Sequence, residues 1–316
     1  MLGALRILLE DCGFRVVMST RWSTEFFLRN LSFDVVIVPS LIHIPYDIQV
    51  DLSRRSTIYM LPTEGILFDE RTLLIKYGGG SDKSRYPQQI GCTRRFFLWG
   101  EYSRRILTSS GLFRPEQLMV IGAPRMDYFM FPRGRTGGST AMTLGIATDC
   151  RGLNSYFPRR IPELVDELRG QQGYYYAPTR NVEDRLWAEI ASTRLTLEVL
   201  DECSKRRMPV ALRIHPREHM NSYIYLKRKY NGGLEMENQD EPGEAFLDRI
   251  GALLGFNSTI FFEAVAANVP AAALVRLTKD RYVDHADGWP MAHCPLLHHI
   301  YSPAPLDELF DFLEKA

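Results

Sequence analysis

The sequence predicts an α/β protein with two Rossmann-like domains. Short apolar segments alternate with helical patterns along most of the 316 residues, as is typical of parallel sheets covered by helices. The segment FPRGRTGGST at residues 131–140 interrupts this alternation, and its Gly, Arg, Ser and Thr content indicates a linker. The chain length suits two domains of ordinary size. We therefore expect domains at residues 1–135 and 136–316.

The N-terminal half shows five strand patterns and two clear helices. We expect helices at residues 2–11 and 101–110, stopped by Gly13 and Gly111. We expect strands at residues 14–18, 34–38, 56–61, 95–98 and 118–121. Domains of this kind normally open with a strand, whereas this chain opens with a helix. The glycine-rich stretch YGGGSDKSR at residues 77–85 lacks the spacing of a phosphate-binding loop and is interpreted as a mobile loop.

In the C-terminal half the same pattern starts again. Strands are expected at residues 143–147, 174–177, 210–214, 252–255 and 271–275, and helices at residues 183–204, 258–268 and 306–316. The last helix can also pack back on the N-terminal domain. Two such domains with a cleft between them make a GT-B-like architecture. In open α/β sheets, ligands bind beyond the carboxyl ends of the strands.

The composition excludes several classes of protein. Lys plus Arg and Asp plus Glu both number 38, so no global positive field argues for a nucleic-acid partner. The five cysteines contain no C-x-x-C pair and are expected to be reduced thiols. The sequence contains no apolar run of 18 residues and no signal-peptide pattern. We expect a cytoplasmic protein without a metal or cofactor.

Two segments of the C-terminal half predict a phosphate site. In VALRIHPRE an apolar strand stops at His215-Pro216, and in GFNSTIFFEAVAANVP a turn at Asn257 precedes Ser258 and Thr259 at a helix start. An imidazole, hydroxyls and the backbone N–H groups of a helix N-terminus together favour an anion. The simpler interpretations are a strand-end histidine held by a backbone carbonyl and an ordinary N-cap.

Other polar residues follow predicted strands in the same way. Glu263 lies one turn inside the helix that starts at Ser258 and can accept hydrogen bonds from ribose hydroxyls, although a solvated helical glutamate is the simpler interpretation. Thr179 and Arg180 follow the strand expected at residues 174–177. Arg125, Arg180 and Arg213 can each hold a phosphate or a sugar carboxylate bidentately. Arg213 lies inside a strand pattern, so a structural pair is the alternative for it.

Two carboxylates of the N-terminal half are candidates for catalysis. Glu64 in LPTEGI and Asp127 in VIGAPRMD both come shortly after a predicted strand. Sugar transfer with retention needs one carboxylate as nucleophile and another as acid/base. The structural alternatives are a helix cap for Glu64 and an ion pair with Arg125 for Asp127. No D-x-D sequence occurs, which argues against a metal-dependent sugar-diphosphate transferase.

Several blocks of the chain, taken in order, resemble a known family. They are FFLWGEYSRRIL (96–107), VIGAPRMD (120–127) and TLGIATDCRGLN (143–154). They resemble blocks of the bacterial surface-carbohydrate biosynthesis proteins, a group similar to retaining β-Kdo glycosyltransferases that use a CMP-activated 3-deoxy-ulosonic acid. LPTEGI resembles the acidic block of that group. RIHPRE and NSTIFFEAVAANVP resemble nucleotide-binding blocks that it shares with CMP-sialic acid transferases and CDP-glycerol polyol-phosphate transferases.

The resemblance covers residues 58–275 and implies a role for each matching residue. Asp127 is the implied nucleophile and Glu64 the implied acid/base, although family members more often have a second acid where this chain has Thr63. His215, Ser258 and Thr259 are implied to hold the CMP phosphate, and Glu263 the ribose or base.

The implied function is a metal-independent glycosyltransferase that moves a Kdo-type or related nonulosonic acid from a CMP-sugar to a surface-glycan acceptor, as in lipopolysaccharide or capsule biosynthesis. A CDP-glycerol- or CDP-ribitol-type polyol-phosphate transferase and a non-catalytic nucleotide-sugar-binding subunit remain as alternatives. The acceptor can be lipid-linked. Arginine-rich segments such as Arg94-Arg95 allow peripheral contact with the inner membrane, whereas a solvated surface is the simpler interpretation.

Overall fold

A computed structural model describes residues 2–62, 70–80, 82–124, 126, 143–150, 152–154, 182–236, 241–256, 258–275, 277 and 306–315. The chain divides into two compact units, Met1–Tyr128 and Phe129–Ala316. Each unit contains a parallel sheet, so the α/β class with two Rossmann-like domains is confirmed. The domain boundary expected after residue 135, the linker at 131–140 and the strand at 174–177 lie outside the described residues.

The N-terminal unit has a four-stranded parallel sheet in the order β1-β2-β3-β4. Its strands are β1 Val35–Val38, β2 Thr57–Met60, β3 Thr93–Leu98 and β4 Leu118–Val120. Its α-helices are α1 Leu2–Asp11, α2 Arg21–Asn30, α3 Tyr46–Leu52, α4 Glu70–Gly78, α5 Tyr86–Gly91 and α6 Glu101–Ser109. Short 3-10 helices lie at Leu41–His43, Lys83–Arg85 and Pro115–Gln117. The predictions for residues 2–11, 34–38, 56–61, 95–98, 101–110 and 118–121 are thus confirmed to within two residues at either end.

The strand expected at residues 14–18 is wrong. Gly13 ends α1 with φ +87° as predicted, but the segment that follows it is irregular. The side chains of Phe14, Val17 and Met18 are about half exposed. A strand needs a neighbour that satisfies its backbone N–H and C=O groups, and the first sheet begins only at β1. The apolar pattern alone therefore did not produce a strand.

Helices cover one face of the N-terminal sheet. Its strands follow each other in sequence order, and right-handed crossovers in one direction place their helices on the same face. Accordingly, Val36 and Val38 of β1 are buried in a core that includes helical residues, whereas the alternate residues Val35 and Ile37 are each 39% exposed. Both faces of β1 are thus apolar, but only one is packed.

The glycine-rich stretch at residues 77–85 is a packed helix end at residues 78–80 rather than a mobile loop. A β-carbon at Gly78 would lie 2.8 Å from the Tyr86 ring, and one at Gly79 would lie 2.3 Å from the Gln89 amide. The Tyr86 hydroxyl donates to the Gly80 carbonyl at 2.7 Å. Glycine is needed here because buried side chains approach the backbone closely.

In the C-terminal unit, five parallel strands are arranged in the order β7-β6-β5-β8-β9. The strands are β5 Leu144–Ala147, β6 Val210–Arg213, β7 Leu234–Met236, β8 Ala252–Gly255 and β9 Ala271–Ala273. The α-helices are α7 Val182–Lys205, α8 Ile224–Lys229, α9 Gly243–Asp248, α10 Ile260–Ala266 and α11 Leu306–Lys315, and a 3-10 helix lies at Met220–Tyr223. Strand β7 and helices α8 and α9 were not predicted, and the helix expected at residues 258–268 is shorter at both ends.

The last helix packs on the unit to which it belongs. Leu309, Phe310 and Leu313 of α11 are buried in the same core as the strands of the C-terminal sheet, and Arg206 pairs with Glu314 at 2.8 Å. The apolar residues recur at helical spacing, so one face of α11 is available for this core. The expectation that this helix also packs back on the N-terminal domain stays a prediction. None of the helices in the described ranges is long and apolar enough to cross a lipid bilayer.

Candidate functional site

The order of the C-terminal sheet defines where a ligand would bind. From β5 the chain adds β6 and β7 on one side and then β8 and β9 on the other. Open α/β sheets bind ligands in the crevice outside the carboxyl ends of the strands, at the point where the strand order reverses. That point lies here between β5 and β8. The segments around it are the β5 turn (residues 148–150 and 152–154), the His215 loop (residues 214–219) and the start of α10.

A buried carboxylate joins the β5 turn to the His215 loop. Glu218 has no exposed surface, and its Oε1 accepts hydrogen bonds from the Thr148 hydroxyl at 3.0 Å and from the Cys150 backbone N–H at 2.9 Å. The Thr148 hydroxyl oxygen in turn accepts the backbone N–H of His215 at 3.1 Å. The other carboxylate oxygen accepts the hydroxyl of Tyr223. Three donors from two segments, the β5 turn and the 3-10 helix at Met220–Tyr223, therefore converge on this carboxylate.

The electrostatics of Glu218 reflect its burial. Burial raises the pKa of this carboxyl from its usual 4.5 to about 7, while the hydrogen bond from Tyr223 acts in the opposite direction. The charge of the neighbouring Asp149 adds to the increase in the pKa. Burial, together with the Glu218 charge, also raises the pKa of Tyr223, so the phenol keeps its proton. Glu218 can consequently change its charge near neutral pH.

A second buried glutamate, Glu189 of α7, occupies the other side of the β5 turn. Its carboxylate accepts the backbone N–H groups of Gly152 and Leu153, each at 2.9 Å. A β-carbon at Gly152 would lie 2.9 Å from Glu189 Oε2, so only glycine leaves room for this contact. Backbone N–H groups after the first strand are where many Rossmann folds bind phosphate. Here the chain's own carboxylate already uses two of them.

His215 and Pro216 come shortly after β6, as predicted, with Ile214 between the strand and the histidine. The Nδ1 atom of His215 accepts the backbone N–H of Arg217 at 3.0 Å. Because Nδ1 acts as an acceptor, the neutral imidazole carries its proton on Nε2. This is the tautomer that can donate to a phosphate oxygen. From the sequence, the simpler interpretation of His215 was an imidazole held by a backbone carbonyl. In the structure, the Nδ1 atom of the imidazole accepts a backbone N–H.

Ser258 and Thr259 lie between β8 and α10. Helix α10 begins at Ile260, so neither residue is inside the helix. The Ser258 hydroxyl accepts the Ile260 N–H at a long 3.4 Å, and Thr259 makes no side-chain cap. At seven residues the helix is short, and its dipole is correspondingly less important than the two hydroxyls. It ends before Asn268, whose φ of +56° is the left-handed conformation common after helix ends.

Glu263 is buried rather than solvated. It is only 2% exposed, so the simpler interpretation made from the sequence is wrong. A β-carbon at Gly243 would lie 2.8 Å from Glu263 Oε2 and 3.7 Å from Arg213 Nη2, so both charged groups lie beside the start of α9. The Arg213 guanidinium also stands 5.5 Å from the centre of the Phe246 ring. These contacts favour the structural role for Arg213.

The remaining predicted site residues cannot be placed. Both catalytic candidates and four of the predicted binding residues lie outside the described residues. They are Glu64, Asp127, Arg125, Thr179, Arg180 and Asn257. Their roles stay predictions.

Sequence reasoning missed several buried polar residues that lie beneath the candidate site and hold its turns in place. Glu218 is the last residue of RIHPRE, three positions after His215, and Thr148 and Asp149 follow β5 directly. Because Glu218 and the Thr148-Asp149 pair both come shortly after a predicted strand, their position in the sequence could have marked them as candidates. For Glu189 no such signal exists, because it lies inside the long helix α7 and reaches the β5 turn only in the folded chain.

Comparisons with known proteins give similarity of fold. No protein-family model and no curated protein matches the chain. The structure of accessory secretory protein 1, 2 and 3 in Streptococcus pneumoniae is 14% identical, with a TM-score of 0.44, and the match covers 93% of this chain and 48% of that one. UDP-GlcNAc 2-epimerase of Methanocaldococcus jannaschii, solved with UDP-GlcNAc and UDP, is 13% identical over 93% of this chain and 72% of that one, with a TM-score of 0.49.

The wall teichoic acid polymerase TagF is 13% identical, with a TM-score of 0.41, and the match covers 82% of this chain and 58% of that one. This chain spans about half the length of the accessory secretory protein of Streptococcus pneumoniae.

Proposed function

We propose that this chain is a glycosyltransferase that takes its sugar from a nucleotide-activated donor held at the carboxyl ends of β5, β6 and β8. The observation that supports it best is the reversal of strand order between β5 and β8. Beside that point lie an imidazole whose neutral form can donate from Nε2 and two side-chain hydroxyls. These groups are suited to a phosphate.

We propose a position for the phosphate from the backbone N–H groups that already bind carboxylates of the chain. Glu189 occupies the N–H groups of Gly152 and Leu153, and Glu218 occupies the N–H of Cys150. A phosphate would meet negative carboxylates on that side. We therefore assign it to the side of the crevice formed by His215, Ser258 and Thr259, with Glu263 near the ribose.

We propose a CMP-activated nonulosonic acid as the donor, in line with the resemblance of RIHPRE and NSTIFFEAVAANVP to CMP-binding blocks. Asp127 attacks the anomeric carbon, the bond to the CMP oxygen breaks, and CMP leaves as a phosphate anion. Glu64 then takes the proton of the acceptor hydroxyl while the hydroxyl oxygen attacks the anomeric carbon. The bond between this carbon and Asp127 breaks, which releases the Asp127 carboxylate and gives overall retention. Fixed donors can stabilise the departing phosphate, and the absence of D-x-D fits transfer without a metal.

The acceptor is proposed to be a surface glycan, lipid-linked or free, with peripheral contact to the membrane. A CDP-polyol phosphotransferase is the second candidate, because the same two nucleotide blocks resemble both classes. Mass spectrometry of the product separates them, since a glycoside lacks the phosphodiester that a polyol-phosphate transferase makes.

A thermal-shift panel tests the donor. CMP, CDP, UDP and GDP are each added to the purified protein with and without EDTA. We expect CMP at 100 times its dissociation constant to stabilise the protein by about 2.7 kcal/mol, and EDTA to leave this unchanged. A preference for UDP or GDP, or loss of the effect with EDTA, would overturn the donor assignment.

Replacing Asp127 tests the mechanism. The Asp127→Ala variant is expected to lose sugar transfer while its stabilisation by CMP equals that of the wild type. Asp311→Ala, on the exposed face of α11, is the matched control and should keep both. Full transfer activity in Asp127→Ala would exclude this residue as the nucleophile.

A further inference from the structure

We propose that Glu218 is the positioning residue of this nucleotide site: its carboxylate holds the β5 turn and, through the Thr148 hydroxyl, the backbone of His215 in one fixed arrangement. The inference rests on the proposed function, since it assigns a task to Glu218 at the same crevice. Glu218 acts through Thr148 and His215 and makes no contact with the donor.

The hydrogen bonds define a connected path. Glu218 Oε1 accepts from Cys150 N–H and from the Thr148 hydroxyl, and Thr148 Oγ1 accepts from His215 N–H at 3.1 Å. The backbone N–H of Glu218 returns to the His215 carbonyl at 2.8 Å. The His215 loop is therefore held both by its own backbone and by a side chain of the neighbouring strand end.

Glu218 can hold these groups because the Thr148 hydroxyl, the Cys150 N–H and the Tyr223 hydroxyl all donate to its carboxylate. A carboxylate accepts hydrogen bonds at both oxygens, and charge-assisted bonds are roughly twice as strong as neutral ones. The groups facing it are Asp149 and the Cys150 thiol from the β5 turn and Tyr223 from the 3-10 helix. When Glu218 takes up a proton, the bonds to Thr148 and Cys150 become neutral and weaker.

The geometry links Glu218 to catalysis through His215. Displacing a hydrogen-bond donor to the phosphate by about 1 Å can lower the reaction rate on the order of 100-fold. The Nε2 proton of His215 can act on the same phosphate as the Ser258 and Thr259 hydroxyls only if the His215 loop keeps its position relative to them. Glu218 links the His215 loop after β6 to the turn after β5, and β5 pairs directly with β8.

Hydrogen exchange at single amides tests the inference without any ligand. In the full chain, we expect Glu218→Gln to lower the protection of the Cys150 and His215 amides about fivefold. The Cys150 amide loses a charge-assisted bond worth about 1 kcal/mol more than a neutral one, and so does the Thr148 hydroxyl, whose oxygen accepts the His215 amide. Thr148→Val should lower protection at His215 and leave Cys150 unchanged. The amide of Thr148, which donates to the Arg213 carbonyl, is the internal reference.

Glu189→Gln is the matched control, because it changes another buried carboxylate of the same turn. It should lower protection only at Gly152 and Leu153. Local opening that breaks the Cys150 and His215 bonds while Glu218 stays buried should become harder as Glu218 gains its charge. In the wild type, the protection of these amides, corrected for intrinsic exchange, should therefore rise with pH through a midpoint near 7. Global unfolding exposes Glu218 and responds to pH in the opposite direction. This midpoint should be absent in Glu218→Gln and higher in Tyr223→Phe, which removes a donor to the carboxylate.

Binding of CMP completes the test. We expect the CMP dissociation constant to increase about fivefold in both Glu218→Gln and Thr148→Val, the same factor as for the amides. Unchanged protection at Cys150 and His215 in both variants, or a pH profile shared by wild type and Glu218→Gln, would overturn the inference. Failure of CMP to bind the wild type would overturn the proposed donor alone, since the amide measurement needs no nucleotide.

Discussion

At the scale of single residues, the C-terminal unit depends on buried glutamates whose partners are mainly backbone N–H groups and hydroxyls. Glu218 and Glu189 each accept several such donors, whereas Glu263 lies close to Arg213 beside Gly243. Carboxylates held by neutral donors can fix turns without requiring a cation in the crevice. For Glu218 the cost of burial outweighs the donors, because its pKa is raised.

The raised pKa of Glu218 predicts how stability depends on pH. Between about pH 4.5 and 7 the folded protein retains a proton that the unfolded chain has released, so stability must fall as pH rises through this window. One pKa unit corresponds to ~1.4 kcal/mol, which gives a contribution of at most roughly 3 kcal/mol. Urea unfolding at pH 5 and pH 8 should show this loss in the wild type.

In Glu218→Gln the same loss should be absent, because the amide does not titrate. Glu116→Gln, which replaces an exposed carboxyl of the N-terminal unit, should behave as the wild type. An identical difference in unfolding free energy between the two pH values for wild type and Glu218→Gln would contradict the assignment.

At the scale of elements, the central strand β5 is shaped by what packs on it. Strand β5 pairs with both β6 and β8, and its residue Gly145 faces the region of α9. A β-carbon at Gly145 would lie 2.4 Å from Ile250 Cδ1 and 3.0 Å from Phe246 Cζ. Glycine therefore allows α9 to approach the strand that carries the β5 turn.

Replacing Gly145 by alanine should destabilise the C-terminal unit. Overpacking of this kind typically costs ~1–3 kcal/mol, which urea unfolding can measure. The control is Gly91→Ala at the end of α5, where a β-carbon meets nothing within 4 Å. Equal stability of the two variants would mean that Ile250 and Phe246 give way without cost.

At the scale of the whole molecule, each unit has a hydrophobic core of its own. The N-terminal core includes Leu52 and the C-terminal core includes Leu195, and both side chains are fully buried. A separate core is the condition for a domain to respond separately to perturbation. The two sheets are thus built on separately packed cores.

A cavity made in one core should loosen that core first. Leu52→Ala and Leu195→Ala are each expected to cost ~2–5 kcal/mol. Hydrogen exchange should then increase in β1–β4 for Leu52→Ala and in β5–β9 for Leu195→Ala. If either variant accelerated exchange equally in both sheets, the two cores would not be separate units of stability.

Local patterns were sufficient for most strands and the long helices. The apolar runs that became β1, β5 and β6 are continuous, as is usual for parallel strands buried in a sheet. The segment at 14–18 had a comparable pattern but formed no strand, because pairing depends on a partner elsewhere in the chain. Strand β7 was missed for the opposite reason, since its three residues carry little pattern and are recruited by pairing with β6.

The sequence by itself determined the α/β class, the restart of the pattern in a second half, and the placement of His215, Ser258 and Thr259 after strands. These features depend on neighbours in the chain, which a periodic pattern records. Only the tertiary structure decided the strand order that creates the crevice, the burial of Glu263 and the contacts of Glu218 with Thr148 and Cys150. Those depend on residues about 70 positions apart, and no local pattern specifies which distant groups will share one buried carboxylate.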